Sequence, residues 1–267
     1  PLSVQVARYQ RCLCVPLFLQ VECHNQCLAA KRFPRDNPAE RIRATSFLQR
    51  EFRALQRVDH DNIVKLWGVV VDDPRWSCLL MELAPNGSLR KGLDSTPQLF
   101  LDAPTTQFAL ALDIASAMAY LHSQRNPILH HDLKSDNVLL WPGTERLFVA
   151  KIADFGLATR MGGDSTMSSS AVEHGGGTIP YKAPEAFDGK YDQASEVYSY
   201  GILLWELLTG ERPWRDAMGQ PETLAVVLKA VCMNQRRPPM TIVQELHPLS
   251  KVITRCWDQS PGARPLF

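Results

Sequence analysis

The stretch Leu129-His130-His131-Asp132-Leu133-Lys134-Ser135-Asp136-Asn137 constrains this chain most, because Asp154-Phe155-Gly156 follows seventeen residues after Asn137. One short loop carries a carboxylate, a lysine and an amide. A second loop carries another carboxylate. A carboxylate can accept a hydroxyl proton, and a lysine can neutralise a phosphate. An amide oxygen and a carboxylate can share a hard divalent cation. To bring the four groups together, the fold must lay the two loops against each other. Alone, Asp132 and Asp154 read as turn or cap residues, as most loop aspartates are. The ordered set is what points to chemistry on a phosphate.

With 267 residues, 45% of them hydrophobic, the chain can bury a sizeable core as one large domain or a tightly joined two-lobed one. Its 29 basic and 28 acidic residues leave a net charge of +1, which gives no footprint for nucleic acid or an anionic membrane. No apolar run is long enough to span a bilayer, and the first residues lack a signal-peptide layout, so a soluble, cytoplasmic protein is expected. Pro1 is not a start methionine and the chain stops just after Arg264-Pro265, so a piece of a longer protein is expected. Cys12, Cys14, Cys23 and Cys27 lack the paired C-x2-C knuckles of common zinc modules and read as reduced thiols in a β-rich segment.

Short apolar strands are expected at Cys12 to Val15, Leu17 to Val21 and Cys27 to Phe33, then at Val64–Val71 and Trp76–Leu83, the last two joined by a turn at Asp72-Asp73-Pro74. Residues 39–57 read as a helix: Leu48, Phe52 and Leu55 form one stripe, which the Glu51 carboxylate borders. After Pro85-Asn86-Gly87 the chain turns helical. Phe108 to His122 is apolar on nearly all faces and should be buried. Val197 to Leu208 looks similar, with Ser195 or Glu196 at its start and Gly210 at its end. The Gly- and Ser-rich stretch from Gly162 to Gly177 reads as a mobile loop.

The ordered set H-x-D-L-K-x-x-N, then Asp154-Phe155-Gly156, then Ala183-Pro184-Glu185 resembles the catalytic, magnesium and activation segments of eukaryotic protein kinases. The resemblance covers about residues 12 to 267 and is strongest after residue 60. It implies an α+β, bilobal protein-kinase fold, with a small N-lobe of strands plus one helix over 1–83 and a larger helical C-lobe over 84–267. It assigns Asp132 as the base for the attacking hydroxyl and Lys134 as the charge stabiliser, with Asn137 and Asp154 as magnesium ligands. Lys31, closing Leu28-Ala29-Ala30-Lys31, would pair with Glu51 to orient the ATP phosphates. In Cys78-Leu79-Leu80-Met81-Glu82-Leu83-Ala84, Met81 would be the gatekeeper, and the backbone of Glu82 and Ala84 would hold adenine, with side-chain identity mattering little there. Glu185 would pair with Arg264. The Cys256-Trp257 ending and Leu204-Trp205-Glu206 look tyrosine-kinase-like, while Lys134 and Gly177-Thr178-x2-Tyr181 follow the Ser/Thr pattern. The implied protein is a tyrosine-kinase-like Ser/Thr kinase using ATP and Mg2+ on protein substrates in signalling.

Three places depart from the pattern. No glycine precedes Gly68, and counting back from Lys31 puts Cys12, Cys14 and Leu17 where the phosphate-covering loop has glycines. Backbone N–H groups approach phosphates best where no Cβ intervenes, so cover is expected to be weak. His131 replaces an arginine that grips an activation-loop phosphate, so phosphate on Ser165, Thr166, Ser168, Ser169 or Ser170 should bring little gain. Glu196 stands where the family has Asp, and imperfect support of the catalytic-loop backbone is expected from its extra methylene. The missing glycines keep a second reading open: a pseudokinase that docks without turnover.

Overall fold

The computed structural model describes residues 17–23, 26–34, 37–71, 76–160, 177–216, 218–240 and 247–267. The expected strand at Cys12 to Val15, the Asp72-Asp73-Pro74 turn and the hydroxyl-rich residues 165–170 lie outside them.

Strands β1 (Leu17–Cys23), β2 (Gln26–Pro34), β3 (Leu66–Val70) and β4 (Trp76–Glu82) form an antiparallel sheet of order β1-β2-β4-β3. Alternation along β2 sorts its side chains. Leu28 and Ala30 join Leu19, Val21, Cys78 and Leu80 in one cluster. Phe33 belongs to the main core with Leu79 and Met81, and Lys31 shares its face. Helix α1 (Pro38–Leu55) packs across β2 and β4 and adds Leu48 and Leu55 to that core. Lys31 therefore points from the sheet toward the helix that carries Glu51, one turn after Leu48.

The rest of the chain is mainly helical: α2 (Leu89–Ser95), α3 (Gln98–Leu101), α4 (Pro104–His122), α5 (Gln193–Thr209), α6 (Leu224–Leu228) and α7 (Leu249–Cys256). Short strands β5 (Ile128–Leu129) and β8 (Thr159–Arg160) pair with each other, as do β6 (Val138–Pro142) and β7 (Phe148–Ile152). Helix α4 begins four residues before the expected Phe108, because Pro104 suits the first turn. It is also less enclosed than expected: Phe108 and Leu112 are 39% and 69% exposed, a solvent stripe at i and i+4. Helix α5 begins earlier than Ser195 as well. Asp192 caps it, accepting from Ser195 N at 3.0 Å, and Gly210 ends it at φ 72°.

The sheet region is tied to β7 by backbone bonds from Val64 N to Ile152 O (2.9 Å) and from Ile152 N to Asn62 O (2.8 Å). Asp154 follows β7 by two residues, so these bonds set its height against Lys31.

Candidate active site

Lys31 is 2% exposed, and its Nζ donates to Glu51 Oε2 at 2.6 Å and to Asp154 Oδ1 at 2.7 Å. Burial alone would lower the Lys31 pKa, but the two carboxylates outweigh it and hold it above its ordinary value. Asp154 is held below the usual carboxylate range: burial opposes this, and the Lys31 ammonium prevails. Glu51 is fully enclosed and shares that one cation, so burial pushes it up to about 7. Asp154 has φ 65°, and its side chain keeps 35% exposure. An added Cβ on Gly156 would stand 3.1 Å from Asp154 Oδ1, so glycine leaves that carboxylate room.

Asp132 sits among four donors. Its Oδ1 accepts from Thr178 N (3.0 Å) and Thr178 Oγ1 (2.7 Å), and its Oδ2 from Lys134 Nζ (2.7 Å) and Asn137 Nδ2 (3.0 Å). Lys134 Nζ also donates to Thr178 Oγ1 at 2.7 Å, so one hydroxyl oxygen already bridges the lysine and the carboxylate. A small cleft lined by Asp132, Thr178, Tyr181 and Lys182 opens beside them. Asn137 gives both amide hydrogens to Asp132, to its carboxylate and its backbone oxygen (2.8 Å), which leaves the amide oxygen as an acceptor with no hydrogen bond among the described residues. His130 ties the two loops together: its Nε2 bonds Ala153 O at 3.0 Å and its ring meets Phe155 edge-on at 4.9 Å.

The backbone beneath the catalytic loop is held from α5. Glu196 Oε1 accepts from His131 N at 2.8 Å, and Oε2 pairs with His122 Nε2 at 2.7 Å. The extra methylene that was expected to weaken this support instead lets one carboxylate reach both groups. Gly177, at φ 96°, closes on the same loop: a Cβ there would lie 2.7 Å from His131 O. Glu185 and Arg264 form a bidentate pair at 2.6 and 2.9 Å.

The hinge corrects one expectation. Glu82 N donates to Lys65 O (3.0 Å), so of its backbone groups the carbonyl is the one on offer. Its side chain is not indifferent either: it accepts from Lys65 N at 2.8 Å and from Lys151 Nζ at 2.8 and 2.9 Å, with Lys151 lying over Trp141. Ala84 N–H makes no hydrogen bond among the described residues, and its half-buried position suits an adenine acceptor.

The residues present fit a nucleotide and a hard divalent cation. The donors on offer are oxygens, the carboxylate of Asp154 and the amide of Asn137, and Lys31 stands beside the former. Leu19 is 8% exposed and packs in the sheet's own cluster, while Cys12 and Cys14 lie outside the described residues.

Sequence reasoning passed over several members of this site. Thr178 to Tyr181 resembles a peptide-positioning platform, but nothing in the sequence points to the Thr178 contacts with Asp132 and Lys134, nor to Thr159, which bonds His131. The buried chain in which Tyr181 Oη donates to Glu206 Oε2 (2.5 Å) and Arg90 Nη1 to Glu206 Oε1 (2.6 Å) was not singled out either. The available signal was a charged residue, Glu206, inside the otherwise apolar run Gly201 to Leu208.

Comparison with known proteins agrees with this geometry. Residues 20–267 match the family model described as protein tyrosine and serine/threonine kinase. The chain is 36% identical over 231 residues to receptor-interacting serine/threonine-protein kinase 3 of Rattus norvegicus, covering 82% of this chain and 46% of the relative. It is 35% identical over 231 residues to dual specificity protein kinase splA of Dictyostelium discoideum, covering 82% and 9%. Against mitogen-activated protein kinase kinase kinase 7 of Homo sapiens it is 36% identical over 217 residues, covering 80% and 33%. The chain thus spans less than half the length of these curated relatives. It belongs to the protein tyrosine and serine/threonine kinase family.

Proposed function

We propose that this domain transfers the γ-phosphoryl group of ATP to Ser or Thr hydroxyls of proteins, as part of a longer tyrosine-kinase-like Ser/Thr kinase. The observation that carries the reading is the Asp132 carboxylate, 2.7 Å from both the Lys134 ammonium and the Thr178 hydroxyl, together with a second set in which Lys31 joins Glu51 and Asp154. In this reading Lys31, oriented by Glu51, binds phosphate oxygens. Glu82 O and Ala84 N hold adenine. Asn137 and Asp154 hold Mg2+, which when bound neutralises phosphate charge and orients it for in-line attack. Asp132 accepts the proton of the attacking hydroxyl, and Lys134 stabilises charge on the migrating group. The small region up to residue 83 and the larger one from residue 84 then meet across the nucleotide. Among the described residues no helix is long and apolar enough to cross a membrane.

The docking-only reading has the missing glycines in its favour. Against it stand two sets of acidic and basic side chains, Lys31 at 2.6 and 2.7 Å from Glu51 and Asp154 and Lys134 at 2.7 Å from Asp132, an arrangement a scaffold has no use for. The test is transfer of label from radioactive ATP to a generic protein, with Asp132→Asn in parallel. Loss of a general base lowers the rate by about 10²–10⁴-fold. Label that survives the substitution refutes Asp132 as the base. No turnover, together with no thermal stabilisation by Mg-ATP, refutes the enzyme; a bound ligand at about 100 times its Kd adds about 2.7 kcal/mol.

A further inference from the structure

His131 occupies the position next to Asp132 where a phosphate-gripping cation was expected, and its partners are of another kind. Its Nε2 shares a hydrogen bond of 2.6 Å with Thr159 Oγ1. Its ring stacks on Tyr191 at 4.2 Å with 26° between planes. Its backbone stands at φ 67°, a conformation side chains other than glycine's seldom adopt, so the surroundings must enforce it. Burial lowers the imidazole pKa to about 4 against the opposing Glu196 carboxylate, with His130 and Arg50 acting in the direction of burial, so the ring is neutral around pH 7.

Thr159 lies five residues after Asp154, on β8, and pairs with Leu129 of β5, the residue that leads into the catalytic loop. The His131–Thr159 bond therefore spans directly from the loop carrying Asp132 to the segment carrying Asp154. An arginine at position 131 would need an anion to complete such a bridge. A neutral imidazole facing a hydroxyl needs none, because each supplies what the other lacks.

We propose that His131 and Thr159 form an uncharged lock that positions Asp132 against Asp154, so that the site is aligned with no phosphate on residues 165–170. Both are positioning residues. The kinetic consequence rests on the kinase reading; the bond itself does not.

The test uses the purified, phosphatase-treated domain. Thr159→Val keeps the shape and removes the hydroxyl, and Thr159→Ser returns it. Thr159→Val should lower kcat about tenfold while KM for ATP stays within about twofold, and Thr159→Ser should recover most of the rate. Replacing Ser165, Thr166, Ser168, Ser169 and Ser170 together by alanine should leave kcat within about twofold of wild type. A wild-type kcat in Thr159→Val, or a loss of about tenfold or more in the alanine set, overturns the lock. If the unmodified domain shows no turnover, the kinase reading fails by itself and the lock is read by NMR of 15N-histidine protein. The His131 Nε2 resonance should move in Thr159→Val and return in Thr159→Ser; an unmoved resonance overturns the proposal.

Discussion

The reach of Glu196 can be tested by shortening it. The carboxylate is buried, with His131 N at 2.8 Å on one oxygen and His122 Nε2 at 2.7 Å on the other. Its pKa is held below the usual carboxylate range: burial opposes this, and His122 outweighs it. Glu196→Asp withdraws the carboxylate by one C–C bond, about 1.5 Å. Keeping the His131 contact would stretch the His122 contact to about 4 Å, beyond hydrogen-bonding range. A lost hydrogen bond to a charged group costs about 1.5–3 kcal/mol. At about 2–4 °C per kcal/mol for a domain of this size, Tm should fall by roughly 3–12 °C. Urea unfolding at pH 7.5 gives the free energy directly. The same substitution made in a His122→Ala chain should cost less than about 0.5 kcal/mol, because the contact is already gone and coupled pairs are not additive. Two results would refute the reasoning: a Glu196→Asp protein as stable as wild type, or an equal cost in both backgrounds.

Arg90 and Glu206 pair at 2.6 Å with side chains 3% and 0% exposed. Arg90→Met should therefore cost about 3–5 kcal/mol in urea unfolding, and adding Glu206→Gln should recover part of it, since an unpaired buried charge is what destabilises; no recovery would show that lost packing dominates. His131 makes stability depend on acid. Its midpoint falls from 6.5 to about 4 on folding, so the unfolded chain takes up the proton first. The contribution is fully present above pH 6.5 and is lost as pH falls through about 4, a change of about 3 kcal/mol. Measured as wild type minus His131→Phe, which cancels Glu51 and other groups, the difference should shrink steadily with acid; a flat difference would contradict the buried neutral ring.

Local periodicity carried part of this site and tertiary packing the rest. The strand period puts Lys31 on the face of β2 that α1 covers, and the helix period sets Glu51 at the border of the stripe of Leu48 and Leu55; that the two meet across 20 residues was named through the resemblance. Asp154 was named by resemblance as a magnesium ligand only; its contact with Lys31 was not legible, because its approach depends on the backbone bonds between Asn62, Val64 and Ile152. The Asp192 cap escaped notice because its partner three residues on is Ser195 rather than Glu or Gln. The Glu82 side chain escaped for a different reason: its partner Lys151 is 69 residues away and no repeat links them.

The buried charges show what sequence patterning leaves out. Lys31–Glu51, Arg90–Glu206 and Arg264–Glu185 pair side chains 20, 116 and 79 residues apart, and the Glu196 carboxylate meets the backbone N–H of His131, 65 residues away. Hydrophobic side chains of similar volume would often hold such junctions as firmly or more so, which makes net stability a poor account of them. Apolar contacts, however, have no direction. A carboxylate that must meet one N–H at 2.8 Å fixes a loop's height and rotation in a way that a leucine does not. The Glu51 contact fixes the strand of Lys31 and the Glu196 contact the loop of Asp132, while Glu206 at Tyr181 and Arg264 at Glu185 both hold the chain running from Thr178 to Glu185. If that is their role, substituting a pair by fitted apolar residues should leave folding intact and lower kcat. Truncating a side chain of the Leu19, Val21 and Leu80 cluster, as in Leu80→Ala, should change stability alone.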